Sequence, residues 1–209
     1  AGPQGFKVVD GNLVNDPVQE EGARHVSYGN LRTEQEFEDF NLKLEVNVPE
    51  KGNSGIYLRG IYEVQMMDSH GRGLDPHHMG GVYSRITPSQ SAEKPVGEWQ
   101  TMDITLLDRH VTVILNGKKI IDNQPLLGCT GGALWSDVTR PGPIYLQGDH
   151  TSVEYRNLVL RPVVKQVAEK LKGLPNTGGP PITGTPSLSA RESYSGTRTV
   201  IVVPCPEKN

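Results

Sequence analysis

In the stretch Phe37–Val48 apolar and polar positions alternate from Phe40 on, Phe40, Leu42, Leu44, Val46 and Val48 against Asn41, Lys43, Glu45 and Asn47. A period of two marks a half-buried β-strand. The same signal recurs in "SGIYLRG" and "IYEVQMMD", two strands broken at Gly60. It returns in "EWQTMDITLLD" (Glu98–Asp108), "HVTVILNG" (His110–Gly117) and "KKIIDN" (Lys118–Asn123), which read as a meander turning at Asn116-Gly117. "VVDGNLVND" (Val8–Asp16) predicts a hairpin on Asp10-Gly11, inside an otherwise irregular and polar stretch over residues 1–35. "GPIYLQGDH" and "SVEYRNLVLRP" supply two closing strands. Short strands at this spacing, almost without helix, predict an all-β antiparallel sandwich of the jelly-roll type.

The periodicity changes after Pro162. In "PVVKQVAEKLKG", Val164, Val167, Ala168 and Leu171 share one helical face and Gly173 supplies the stop. A Pro/Gly/Ser/Thr-rich stretch follows and ends in "TRTVIVVP" (Thr197–Pro204), a strand without a neighbour in sequence. The chain therefore divides into a sandwich over residues 1–162, a short helix over 163–173, and a linker with a C-terminal strand over 174–209. An unpaired strand adds to a sheet edge through main-chain hydrogen bonds. The expectation is docking on another copy more than on its own, and so a homo-oligomer built through the tail.

Composition narrows the class. The 209 residues suffice for one β-rich domain with a core. A net charge of −3 leaves no basic footprint for nucleic acid, and no apolar run approaches membrane-spanning length. The chain begins abruptly at Ala1, which fits a mature protein after removal of a leader and equally an arbitrary boundary in a longer chain. Its two cysteines, Cys129 in the domain and Cys205 in the tail, are expected to form a disulfide fastening one to the other.

The polar half of "NSGIYLRGIYEVQMMDS" is unusual. Strand alternation sets Ile56 and Leu58 on one face and Tyr57 and Arg59 on the other; past Gly60, Tyr62, Val64 and Met66 oppose Glu63, Gln65 and Met67. Arg59, Glu63 and Gln65 then share a face, with Asp68 at the strand end. The plain reading is an Arg59–Glu63 ion pair on a wetted sheet, which stabilises little; the sharper one is a ligand cleft. A second cluster, Gln147, Asp149 and His150, follows a strand, and an acid beside an imidazole fixes its tautomer for proton transfer. His77 and His78 are adjacent and lack a third ligand nearby, so they make a weak metal site. No cofactor is expected, and a bound divalent metal stays open.

Taken in order, "GNSGIYLRGIYEVQMMDS", "GGVYSR", "KPVGEWQTMDI", "VILNGKKIIDN", "CTGGALWSD", "PGPIYLQGDH" and "VEYRNLVLRP" resemble the 3-keto-disaccharide hydrolase-like family, over about Val8 to Pro162. The resemblance implies a concanavalin A-like lectin/glucanase sandwich, secreted by bacteria to the periplasm or beyond, with a carbohydrate as partner. It implies a cleft lined by Asn53, Arg59, Glu63, Gln65, Asp68, Tyr83, Gln147, Asp149 and His150. It also implies a chemistry: a ketone at C3 acidifies the C2 proton, a base removes it, and the C1 substituent leaves with help from an acid. His150 or Glu63 would be the base, Asp68 or Asp149 an acid or a hydroxyl ligand, and Arg59 the partner of the enolate oxygen. A carbohydrate-binding module or an assembly protein on the same sandwich are the alternatives. Aromatic residues are only 6% of the chain, and platforms for stacking on sugars are scarce beyond Trp99 and Trp135, which weighs against a binding module.

Overall fold

The computed structural model describes residues 3–18, 24 and 26–163 and, as backbone, 202–204. Twelve strands run through them: β1 (Phe6–Val9), β2 (Asn12–Asn15), β3 (Leu31–Thr33), β4 (Phe40–Asn47), β5 (Asn53–Leu58), β6 (Tyr62–Met67), β7 (Gln100–Leu107), β8 (His110–Leu115), β9 (Lys118–Pro125), β10 (Tyr145–Leu146), β11 (Val153–Pro162) and β12 (Val202–Pro204). They form a seven-stranded sheet, β1-β2-β11-β4-β7-β8-β9, and a five-stranded sheet, β12-β3-β10-β5-β6. Every strand pair in both is antiparallel. The expected sandwich is the fold. Among the described residues no helix is long and apolar enough to cross a membrane.

The alternating positions of β4 become the core. Phe40, Leu42, Leu44 and Val46 are buried and face the buried Ile56, Leu58, Val64 and Met66 of the smaller sheet. Tyr155 of β11 crosses the sandwich, its hydroxyl 3.0 Å from Ser54 Oγ on β5. The expected turns fall where Asp10-Gly11 and Asn116-Gly117 all adopt positive φ. A short strand within residues 1–35, β3, was not expected from the sequence.

The two outer faces differ. On the larger sheet the polar positions are wet: Arg156 pairs with Glu45 at 2.6 Å and lies 4.0 Å over the Trp99 ring. On the smaller sheet both faces of β5 and β6 are buried almost throughout. Segments around Tyr83 and Gly131 cover that outer face. A cavity of about 490 Å³ opens elsewhere, between the sheets, against Phe6, Leu13, Leu31, Leu42, Leu146 and Leu160; no carboxylate or histidine lines it.

The C-terminal strand is seated. Val202–Pro204 pairs antiparallel with Leu31–Thr33 of the same chain, where the sequence favoured a second copy. The expected helix at 163–173 falls, after Val163, outside the described residues, as does Cys205. Cys129 is a free, half-buried thiol.

Candidate active site

Register assembles the site. Tyr57 of β5 stands opposite both Glu63 of β6 and Tyr145 of β10, and Tyr145 stands opposite Arg32 of β3. Directly paired residues share a face, so Arg32, Tyr145, Tyr57 and Glu63 form one row across the sheet. The N–H of Tyr83 donates to the Glu63 carbonyl at 3.0 Å and extends the row. The next row holds Gln147, Gly55 and Gln65, through Gln147 N–H to Gly55 O at 3.0 Å and the Gly55–Gln65 pairing. Asn53 begins the third.

Two glycines make this packing possible. A Cβ at Gly55 would sit 2.8 Å from Cγ and 2.9 Å from Cδ of Glu63, so the glutamate folds over a bare backbone. A Cβ at Gly132 would sit 2.5 Å from the Tyr57 hydroxyl, and Gly132 holds a φ of +73.

Glu63 is 4% exposed. Burial pushes its carboxyl up to about 7, helped by the charge of Asp149 and opposed by a hydrogen bond with Tyr57 and the charge of His150. Burial, then the charge of Glu63, pushes the Tyr57 phenol up. The Tyr57 hydroxyl also donates to Gly131 O at 3.0 Å. One phenolic proton cannot serve both acceptors. Given to Glu63, it favours the carboxylate; given to Gly131, it leaves the phenol oxygen to accept from a protonated Glu63.

His150 and Asp149 stand at the mouth. His150 Nδ1 lies 2.8 Å from Asp149 Oδ1, and this bond, with the charges of Asp149 and Glu63, raises the imidazole pKa against partial burial. Thr151 pins the segment to the start of β5, its Oγ1 accepting from Asn53 N at 2.6 Å and donating to Asn53 O at 3.0 Å. Gln65 Nε2 donates to Asn53 Oδ1 at 2.8 Å, while Gln65 Oε1 is buried with no partner. Such an acceptor is costly unless a ligand satisfies it. The Gln147 side chain makes no hydrogen bond among the described residues.

Of the residues named from sequence, Glu63, Gln65, Asn53, Tyr83, Gln147, Asp149 and His150 gather here. Arg59 does not. It takes a φ of +53 in the β5–β6 turn, where strand alternation has ended. Its guanidinium is buried, donating to Glu38 O at 2.7 Å and pairing with Asp39 at 3.3 Å. It is neither the oxyanion partner nor the mate of Glu63. Asp68 accepts from Lys51 N at 2.9 Å and closes the β4–β5 turn. His77 and His78 diverge, to Asp75 and Ser84 and to Gly73 O respectively. Among the described residues no three His, Cys, Asp or Glu side chains gather as metal ligands.

Sequence reasoning missed Tyr145, Tyr57 and Thr130. The two tyrosine rings stack at 4.5 Å, and Thr130 Oγ1 accepts from Glu63 N at 3.0 Å. Alternation did put Tyr57 on this face; the pairing with Tyr145 needs the strand order.

Three chains of known structure from Parabacteroides distasonis, each named as a candidate glycosyl hydrolase, share the architecture. One is 29% identical, with a TM-score of 0.60 over 76% of this chain and 74% of that one. A second is 25% identical, with a TM-score of 0.57 over 76% and 90%. A third, 20% identical with a TM-score of 0.60 over 75% and 83%, shares the fold. No curated protein sequence matches this one. The 3-keto-alpha-glucoside-1,2-lyase-like domain matches residues 1–161, and the chain belongs to that family.

Proposed function

We propose that this protein cleaves glycosides already oxidised to a ketone at C3, by taking the proton from C2. One observation carries the reading: a buried glutamate with its carboxyl pushed up to about 7, set in a row with tyrosines and beside an Asp–His pair. A carboxylate of that basicity takes a proton more readily than an ordinary one. The C3 carbonyl lowers the acidity barrier, and the electron pair of the broken C2–H bond moves into an enolate. The pair then returns to form the C1–C2 double bond as the C1–O bond breaks. His150, held protonated by Asp149, gives its proton to the departing oxygen. Water adds to C1 and the proton returns to C2, so that the net change is hydrolysis. With Arg59 committed elsewhere and the free N–H of His150 spent on the departing oxygen, the enolate oxygen is left to the Gln147 amide N–H. Asn53 and the unpartnered Gln65 Oε1 hold sugar hydroxyls.

The binding-module reading lacks its platform. Tyr57 and Tyr145 are 2% and 7% exposed and stack on each other rather than facing a sugar.

The test is incubation with a 3-keto-disaccharide beside its unoxidised parent, in D₂O. Released sugar and deuterium at C2 are expected from the ketone alone. Equal cleavage of the parent, or cleavage without exchange, overturns the mechanism in favour of a two-carboxylate route.

A further inference from the structure

A second constellation lies on the rim, in the segment between β6 and β7. His77 Nδ1 is 2.6 Å from Asp75 Oδ1, and His77 Nε2 is 2.8 Å from Ser84 Oγ. The His77 N–H also donates to Asp75 Oδ1 at 2.8 Å. The imidazole thus bridges an acid on one nitrogen and a hydroxyl on the other, the relation that activates a serine for acyl transfer. The Asp75 contact fixes the proton on Nδ1 and leaves Nε2 to receive the serine proton. Hydrogen bonds from His77, backbone first and side chain second, hold the Asp75 carboxyl below its usual range. The Tyr83 ring packs edge-on against His77, centroids 4.7 Å apart, and locks the imidazole plane. Ser84 is exposed and has a φ of +57, so the turn presents its hydroxyl to solvent. Its own N–H makes no hydrogen bond among the described residues, which leaves it to donate to a developing oxyanion.

We propose that Asp75, His77 and Ser84 form a separate hydrolytic site for short-chain carboxylic esters. Ser84 Oγ attacks the ester carbonyl while its proton passes to His77 Nε2. The tetrahedral adduct collapses, the C–O bond to the alcohol breaks, and the imidazolium returns the proton to the leaving alkoxide. Water, deprotonated by the same nitrogen, releases the carboxylic acid from Ser84. No metal, oxidant or cofactor enters the balance. Tyr83 is shared: its ring meets His77 and lies 4.0 Å from where a Cβ of Gly131 would stand, beside the Tyr57 row. The two sites therefore adjoin through Tyr83.

The experiment is reaction of the full chain with a fluorophosphonate, location of the adduct by peptide mass spectrometry, and hydrolysis of p-nitrophenyl acetate. An adduct on Ser84 is expected. Ser84→Ala and His77→Ala should each lower hydrolysis at least about 100-fold. Ser84→Gly, which the left-handed backbone accepts more easily than serine, removes the hydroxyl without straining the turn and should do the same. His78→Ala, whose ring turns to Gly73 O, should leave the rate unchanged. No adduct, an adduct elsewhere, or hydrolysis that survives in both Ser84 variants overturns the proposal. The outcome is independent of cleavage of 3-keto-glycosides, since neither probe carries a ketosugar.

Discussion

Burial makes the ionised form of Glu63 the one that costs the fold. Its native pKa of about 7 lies above the ordinary 4.5, so between those values the native state binds the more protons. Stability from this group is greatest below pH 4.5 and falls as pH rises through 7. Glu63→Gln is therefore expected to raise the unfolding free energy at pH 8 by up to roughly 3 kcal/mol, with the gain gone below pH 5. Cleavage of 3-keto-glycosides should drop about 100-fold or more in the same variant. A difference between variant and parent that does not change with pH would mean an ordinary carboxylate. Gly55→Ala acts on the same side chain by crowding it, at about 1–3 kcal/mol; the folded fraction should lose activity and show a shifted pH–rate profile. The chemistry-bearing residue types were legible in the sequence because a mixed acid and amide load on one strand face has few bland explanations. Arg59 misled because the sequence shows that it flanks Gly60, not that both take left-handed φ and carry the guanidinium away to Asp39.

At the scale of elements, the β5–β6 hairpin positions the site and Arg59 positions the hairpin. Its buried guanidinium ties the turn to Glu38 O, Asp39 and, at 3.4 Å, Val138 O. Arg59→Ala leaves Asp39 buried at 3% exposure without its cation, and a broken buried pair costs about 3–5 kcal/mol. The variant is expected to melt well below the parent, with a parallel loss in Asp39→Ala; unchanged melting with lost turnover would restore Arg59 to the chemistry. Long strands such as β4 and β7 were readable because eight alternating residues outweigh local noise. β3, three residues long, and β10, two, carry no period at all. Yet they hold the Arg32 and Tyr145 end of the row; β10 falls inside the strand read from "GPIYLQGDH", whereas only tertiary pairing defines β3.

For the molecule as a whole, β12 lies on β3 of its own chain. A chain ending at Lys172 is therefore expected to keep the oligomeric state of the full chain by size exclusion with light scattering, and to keep whatever cleavage of the proposed substrate the full chain shows, since the family spans residues 1–161. A smaller assembly on truncation would mean that the strand serves a neighbour. The two tryptophans have a practical consequence. Arg140 lies 4.0 Å over Trp135, and Arg156 lies 4.0 Å over Trp99. Trp135 packs by Gly142 and the Arg59 end of the β5–β6 hairpin, three residues past the Gly132 that abuts Tyr57, and Trp99 lies with Arg156 on the larger sheet. The chain therefore has one optical probe on the hairpin that carries the site and one reference on the other sheet. Ligand entering the row should alter the emission of a Trp99→Phe protein and leave that of a Trp135→Phe protein still, which gives binding constants without any label.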